Sequence, residues 1–378
     1  MQLRSLPAFY IGEETKATLI GTFYQDHPDA GRTVGGRGGQ RRGIGIVWFA
    51  SFRFGQPLTE QLDRIREVVH PVHVSMLASR SFMLTEEQVR AVLSYEELIP
   101  VMRQALMDFS AGRVRQPLRN IIPVPEYGGW LGVMPAVYGT VMGTKMVAFY
   151  PRNAELQKHT HMAMIQLFRA DTGEPLVTMD GRLITEMRTA AVSAVAIDHL
   201  ASADAKVLAI LGSGVQARSH MRALRGIRGF TDIRVWSRST EHAQKFASEI
   251  GARVMSAEQA VAGADVVLAL TSSPEPILHG RWLSPNAMVC AIGAATPERR
   301  ELDAETMRGA VVVESREAAL KEAGDIVLPQ AQVSAEIGEL LNGAQIDRGD
   351  RPVVFKSVGI AVEDIAAAKL VYEKFTER

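Results

Sequence analysis

Gly212-Ser213-Gly214-Val215-Gln216-Ala217 follows directly on the apolar run Val207 to Leu211. A GxGxxA turn between a strand and a helix is suited to holding a dinucleotide pyrophosphate. Gly212 permits the tight turn, Gly214 lets the backbone come close to the phosphates, and Ala217 lets the helix pack against the strand. Val215 and Gln216 open that helix, whose first N–H groups and dipole favour an anion. About twenty residues on, Ile233 to Trp236 suits a second parallel strand, ending in Ser237-Arg238-Ser239. NAD sites usually place an Asp or Glu there for the ribose 2′-hydroxyl. None is present. Arg238 can pair with a 2′-phosphate and Ser237 and Ser239 can add hydrogen bonds, so NADP(H) is the expected cofactor and NAD(H) the alternative. Thr271, directly after the predicted strand 265–270, is counted with the cofactor-binding positions.

Such a turn needs a sheet around it. Strands are predicted at 206–211, 233–236, 253–255, 265–270, 287–292 and 310–313. Helices are predicted at 215–226, 239–250, 256–262, 302–308 and 316–321. This alternation specifies a Rossmann-type, doubly wound parallel sheet over 201–325. The turn begins past the middle of the 378-residue chain, so the upstream half is a different structure. There, Thr85 and Gln88 form a capping-box pattern before a helix to about Leu93. A helix over Tyr95–Ala111 follows, then strands at 120–125, 129–136 and 143–150. A hairpin over 161–179 turns at Asp171-Thr172-Gly173. A helix over Thr185–Ala201 carries Arg188 among alanines. After residue 325, Gln332–Asn342 reads as helix, 353–358 as strand and Ile360–Glu373 as helix. This tail is expected to return to the upstream half, giving a discontinuous α+β substrate and dimerisation domain of 76–200 plus 326–378. Residues 1–75, with the stretch AGRTVGGRGGQRRGIG over 30–45, read as a disordered extension or as a start assigned too early.

Composition narrows the function. Lys+Arg and Asp+Glu are equal at 42 each, so no global charge speaks for a nucleic-acid partner. The single cysteine, Cys290, excludes a disulfide framework. His159 and His161 lack companion ligands, so no metal is expected. No run of eighteen apolar residues suggests a membrane span, and the N-terminus lacks a signal h-region. A cytoplasmic protein acting on a small molecule is the expectation.

Several further motifs occur in one order: Gln116-Pro117-Leu118-Arg119, Lys145 with Phe149-Tyr150-Pro151-Arg152-Asn153, Thr172-Gly173-Glu174-Pro175, Met179-Asp180-Gly181, and TEMRTAAVS over 185–193. GSGVQA and Phe355-Lys356-Ser357-Val358-Gly359 complete the series. Over roughly residues 80–378 the chain resembles the ornithine cyclodeaminase/mu-crystallin family. The resemblance implies a homodimer, a nicotinamide cofactor, and chemistry on α-amino acids and their imines. It places Arg119 and Arg188 as a clamp for a substrate carboxylate and Lys145 beside the imine nitrogen. Ser357 and Gly359 fall in a loop approaching the nicotinamide, and Asp364 reads as a helix-surface or capping residue.

One departure separates the activities within the family. Cyclodeaminases resemble one another in an aspartate after the fifth Rossmann strand, where this chain has Ala295 in Ala291-Ile292-Gly293-Ala294-Ala295. Releasing ammonia from a saturated amino acid needs a group to handle amine protons, and a methyl cannot. The leading expectation is therefore an NAD(P)H-dependent reductase of cyclic ketimines, Δ1-pyrroline-2-carboxylate or Δ1-piperideine-2-carboxylate, forming an L-amino acid. The alternatives are an ornithine or lysine cyclodeaminase with bound NAD, an alanine dehydrogenase, and an NADPH-binding mu-crystallin-like protein.

Overall fold

The computed structural model describes residues 3–12, 16–25, 45–53 and 83–377. The chain divides into two units, residues 1–80 and 81–378. The first unit holds an antiparallel meander of β1 (Leu3–Gly12), β2 (Lys16–Gln25) and β3 (Gly45–Arg53). This differs from the predicted extension over these three segments. Runs such as Phe9-Tyr10-Ile11 and Ile46-Val47-Trp48-Phe49 are β-branched and aromatic, which suits strands. Apart from Gly45, the glycine- and arginine-rich stretch lies outside the described residues.

The second unit opens with β4 (Met83–Leu84), α1 (Glu86–Arg90) and α2 (Tyr95–Ser110). The capping box forms as predicted: Gln88 N–H donates to the Thr85 hydroxyl, and Thr85 N–H to the Gln88 side chain. Next come β5 (Val114–Arg115), β6 (Asn120–Val124), β7 (Gly129–Tyr138), β8 (Val141–Phe149), β9 (His161–Arg169) and β10 (Pro175–Asp180). They form a largely antiparallel sheet in the order β4-β10-β9-β8-β7-β5, with β6 also on β7. Alternation is clean along β8 and β9. Lys145, Val147, Ala163, Ile165 and Leu167 are buried on the inner face, whereas Met146, Met162 and Met164 are exposed on the outer one. Met146 lies directly opposite Met164.

Helix α3 (Arg182–Leu200) joins the two halves of this unit. From Glu186 to Ile197 it is buried on all sides, as the unbroken run of small and apolar residues over 189–197 allows. Beyond it the chain builds an all-parallel sheet from β11 (Val207–Leu211), β12 (Asp232–Trp236), β13 (Arg253–Val254), β14 (Val266–Ala269), β15 (Met288–Ala291), β16 (Ala310–Val313), β17 (Val333–Glu336) and β18 (Val353–Lys356). The order is β13-β12-β11-β14-β15-β18-β16-β17. Strands β14, β15, β16 and β18 are buried along their whole length, as strands covered on both faces must be. The connecting helices are α4 (Val215–Leu224), α5 (Thr240–Ile250), α6 (Ala257–Val261), α7 (Arg316–Glu322), α8 (Gly324–Val327) and α9 (Ile337–Leu341). Only a 3₁₀ turn, Thr306–Arg308, stands in the predicted helix 302–308. Helix α4 docks on α3 through a buried His220, whose Nε2 lies 2.8 Å from the Ser193 hydroxyl and Nδ1 2.8 Å from the Gln216 carbonyl.

The tail departs from the predicted domain limits. Residues 326–378 return only in part: β17 and β18 join the parallel sheet, whereas α9 packs on α2, and α10 (Ala361–Thr376) packs on α2 and the inner face of the antiparallel sheet. Likewise Gln332–Asn342 is a strand followed by a short helix. Pairing with β16 outweighs the helical propensity of that Ala- and Glu-bearing stretch.

Candidate active site

The strand order reverses between β11 and β14, and open α/β sheets bind ligands at the carboxyl ends of strands at such a point. Gly212 sits there with φ +124°, and a Cβ on it would lie 2.6 Å from the Leu270 carbonyl oxygen. Gly214 is the N-cap of α4, with no side-chain cap, and a Cβ there would meet nothing within 4 Å. Gly214 and Val215 are exposed, so the start of α4 is open, as a phosphate site requires. Ala217 is fully buried against the sheet and Val215 is exposed at the helix start. Gln216 has a buried side-chain oxygen without a partner. The Ser213 hydroxyl donates to that of Ser237 (2.9 Å), which ties the turn to the end of β12. Ser239 caps α5 by accepting from His242 N–H, and Arg238 between them is exposed. Among the described residues Arg238 forms no ion pair, and it is free to meet an anionic group at this edge. The open helix start and the unpaired Arg238 fit a dinucleotide's anionic groups.

The inner face of the antiparallel sheet brings Arg119, Lys145 and Arg188 together. Lys145, in the middle of β8, is 2% exposed, and its Nζ lies 2.6 Å from Asp364 Oδ2. Arg188 on α3 meets the other oxygen of Asp364 through Nε (3.0 Å) and Glu363 through Nη1 (2.6 Å). Arg119 pairs with Glu322 (2.7 Å) and donates to the carbonyls of Val358 and Gly359. Burial pushes the Lys145 ammonium down to about 8, with Asp364 opposing the shift and Arg188 and Arg119 adding to it. Burial also opposes the charge of Arg188, but Asp364, Glu363 and Glu314 outweigh it and hold its pKa above the ordinary value. Burial, with Glu314 and Asp364 nearby, raises Glu363 well above the usual carboxylate range.

The loop after β18 is shaped by Glu314, which follows β16. It accepts from the Ser357 hydroxyl (2.5 Å) and from the N–H groups of Val358 (2.9 Å) and Gly359 (2.8 Å). Gly359 has φ +77°, and a Cβ on it would stand 2.7 Å from both terminal nitrogens of Arg188. At the ends of β14, β15 and β18 a second buried group forms. Lys356 pairs with Asp325 (3.0 Å) and donates to the Gly293 carbonyl. Glu301 accepts from the N–H (2.6 Å) and hydroxyl (2.5 Å) of Thr271, and burial lifts it to about 7. Thr271 is therefore held by Glu301, and Ser357 by Glu314.

Sequence reasoning missed the carboxylates. Asp364 is not on a helix surface: it is fully buried between Lys145 and Arg188. Glu363 and Asp364 resemble ordinary first-turn acids of α10, a pattern that hides their role. A signal did exist for Lys356, a charge closing the apolar strand VVFK. His161, at the start of β9, packs on Phe149 with ring centroids 4.5 Å apart.

A dinucleotide-type sheet and a second sheet carrying buried cations, joined through one helix, define a two-part α/β class that handles small charged ligands. The chain belongs to the ornithine cyclodeaminase/mu-crystallin family, whose profile matches residues 79–378. It is 44% identical over 310 residues to the ketimine reductase mu-crystallin of Mus musculus, an alignment that covers 80% of this chain and 99% of that protein. Among solved structures it is similar to the Δ1-pyrroline-2-carboxylate reductase of Thermococcus litoralis in complex with NADH and L-proline (TM-score 0.74, 33% identity, 78% and 97% of the two chains). It is also similar to an archaeal alanine dehydrogenase dimer with bound NAD (TM-score 0.75, 30% identity, 78% and 96% of the chains).

Proposed function

We propose that this protein is an NAD(P)H-dependent reductase of cyclic ketimines, Δ1-pyrroline-2-carboxylate or Δ1-piperideine-2-carboxylate, yielding an L-amino acid. The observation that carries this reading is the convergence of Arg119, Lys145 and Arg188 at the loop after β18, a strand of the same parallel sheet in which β11 runs into GSGVQA. The mouse and archaeal relatives named for ketimine and pyrroline-carboxylate reduction support it. Ala295 favours reduction over cyclodeamination, because the loop after β15 offers a methyl where ammonia release calls for a carboxylate.

When bound, a reduced nicotinamide supplies the hydride that converts C=N to CH–NH. The substrate carboxylate is held by Arg119 and Arg188, a pair of guanidinium forks matched to carboxylate geometry. Lys145 stands at the nitrogen and holds the proton that nitrogen acquires. Its lowered pKa keeps that proton available near neutral pH. Gly212, Gly214, Val215, Gln216 and Ala217 form the pyrophosphate turn. Thr271, Ser357 and Gly359 border the nicotinamide. Arg238, with Ser237 and Ser239, selects NADPH. The T. litoralis relative was captured with NADH, so the preference here rests on Arg238. The exposed outer face of the antiparallel sheet, with Ile122, Met146, Met162 and Met164, is the homodimer surface. Contiguous apolar surface of this kind marks an interaction site.

NADPH oxidation with each imine, with NADH in parallel and ornithine plus NAD as control, tests the reading. Turnover of an imine supports it. Ammonia and proline from ornithine, with no imine turnover, would replace it with the cyclodeaminase. Arg238→Glu should shift preference toward NADH by ~10-fold or more, the scale of one lost charge-assisted contact; unchanged NADPH affinity removes Arg238 from the site.

A further inference from the structure

We infer that Asp364 is the positioning residue of this site: one carboxylate, fully enclosed, fixes both the Lys145 ammonium and the Arg188 guanidinium. The inference rests on the reductase reading for its catalytic meaning but not for its geometry. The two oxygens of Asp364 are divided between the two cations, 2.6 Å to Lys145 Nζ and 3.0 Å to Arg188 Nε. The first is an ion-pair contact and the second an N–H···O hydrogen bond to a charged donor, and the carboxylate is fully buried. The lysine comes from β8, the arginine from α3 and the aspartate from α10, so one side chain sets the spacing of groups on three elements. Glu363 takes a terminal nitrogen of Arg188, and so the guanidinium plane is held on two sides. Arg119 is oriented independently, by Glu322 and the carbonyls after β18.

The charged groups around Lys145 decide what loss of Asp364 does. Arg188 and Arg119 act on Lys145 with like charge, and the Lys145 charge in turn reaches His161. Glu363 and Glu314 act on Arg188 from behind. Asp364 is the sole carboxylate in contact with Lys145 among the described residues. Its removal leaves a buried ammonium beside two guanidiniums, and the ammonium sheds its proton at lower pH.

The direct test is Asp364→Asn in protein labelled with ¹³C at the lysine Cε. The Lys145 resonance is assigned by its loss in Lys145→Met. In the wild type it should titrate near pH 8. In Asp364→Asn it should titrate about one pH unit or more lower, the scale of losing an opposite charge in contact. Coincident curves would overturn the inference. This readout needs neither cofactor nor turnover, so it stands even if the wild type reduces neither imine, a result that sinks the reductase reading alone. With turnover present, the alkaline limb of kcat should move by the same amount and KM for the imine should rise, reporting Lys145 and Arg188 in turn. A merely structural aspartate would lower the folded fraction and move neither. Should Asp364→Asn not fold, Asp364→Glu carries the test. Its retained charge leaves the Lys145 titration near the wild-type value, and its longer arm raises KM and lowers kcat. Wild-type kcat and KM in that variant refute positioning.

Discussion

Arg188 and Gly359 depend on each other. The guanidinium fits into its buried place because residue 359 has no Cβ: a methyl there would stand 2.7 Å from two of its nitrogens, at a φ of +77° that side chains rarely adopt. Gly359→Ala should therefore push Arg188 off Glu363 and Asp364 and lower kcat/KM for the imine by ~10²-fold, the cost of displacing a positioning group by about an ångström. Wild-type kinetics in that variant would show that the clamp does not need this geometry. Truncating the arginine itself leaves Glu363 buried without its ion-pair partner and Asp364 with Lys145 alone. Arg188→Ala should cost about 3–5 kcal/mol of stability, the usual result of removing one partner from a buried ion pair. Denaturant midpoints read this directly, and a change under about 1 kcal/mol would mean that the acids find protons or new partners cheaply.

The glycine turn separates a structural glycine from a ligand-facing one. Gly212 is pressed against the Leu270 carbonyl, so Gly212→Ala should lower the melting temperature. Gly214 faces open space at an ordinary φ of −84°, so Gly214→Val should leave the melting temperature within a degree or two while cofactor affinity falls ~10-fold or more. Equal melting losses in both would mean that the turn is shaped by packing alone. The junction of α3 and α4 carries a pH dependence of its own. His220 is fully buried, and burial depresses its pKa from 6.5 to about 4, with the Gln216 carbonyl partly opposing. Between these values the unfolded chain binds the proton that the folded chain refuses. The contribution is thus complete above pH 6.5 and is lost as pH falls to about 4, by up to about 1.4 kcal/mol per pH unit. Urea midpoints over that range should be steeper in the wild type than in His220→Gln. Most of these elements were legible: the turn, the first six parallel strands and the antiparallel hairpins follow from periodicity and turn residues. The helix α10 was legible too, but the role of its acids was not. Its residues 361–368 are all buried, and an enclosed acid there has the same sequence signature as a solvated first-turn acid. The edge strand β17 was hidden for a related reason, since its conformation is set by a partner far away in sequence.

At the scale of the whole molecule, the outer face of the antiparallel sheet exposes a group of large apolar side chains. Met146 and Met164 face each other across β8 and β9 with Ile122 and Met162 exposed nearby, on the side opposite α10. Met146→Asp with Met164→Lys should give a monomer by analytical ultracentrifugation, with the parallel sheet and dinucleotide binding intact. A dimer that survives both changes would place the contact elsewhere. The placement of β18 has a further consequence for biosynthesis. It fills the slot between β15 and β16, and α10, only a few residues later, covers the inner face of the other sheet. Until residues 353–376 leave the ribosome, two strand edges in the middle of the sheet and the face around Lys145 stand open. Each nascent chain thus passes through a period in which β15 and β16 offer unpaired edges to other chains. Newly made protein should therefore draw on chaperones until β18 is made, and a stop codon before residue 353 should send the product to aggregates rather than to a partly active enzyme.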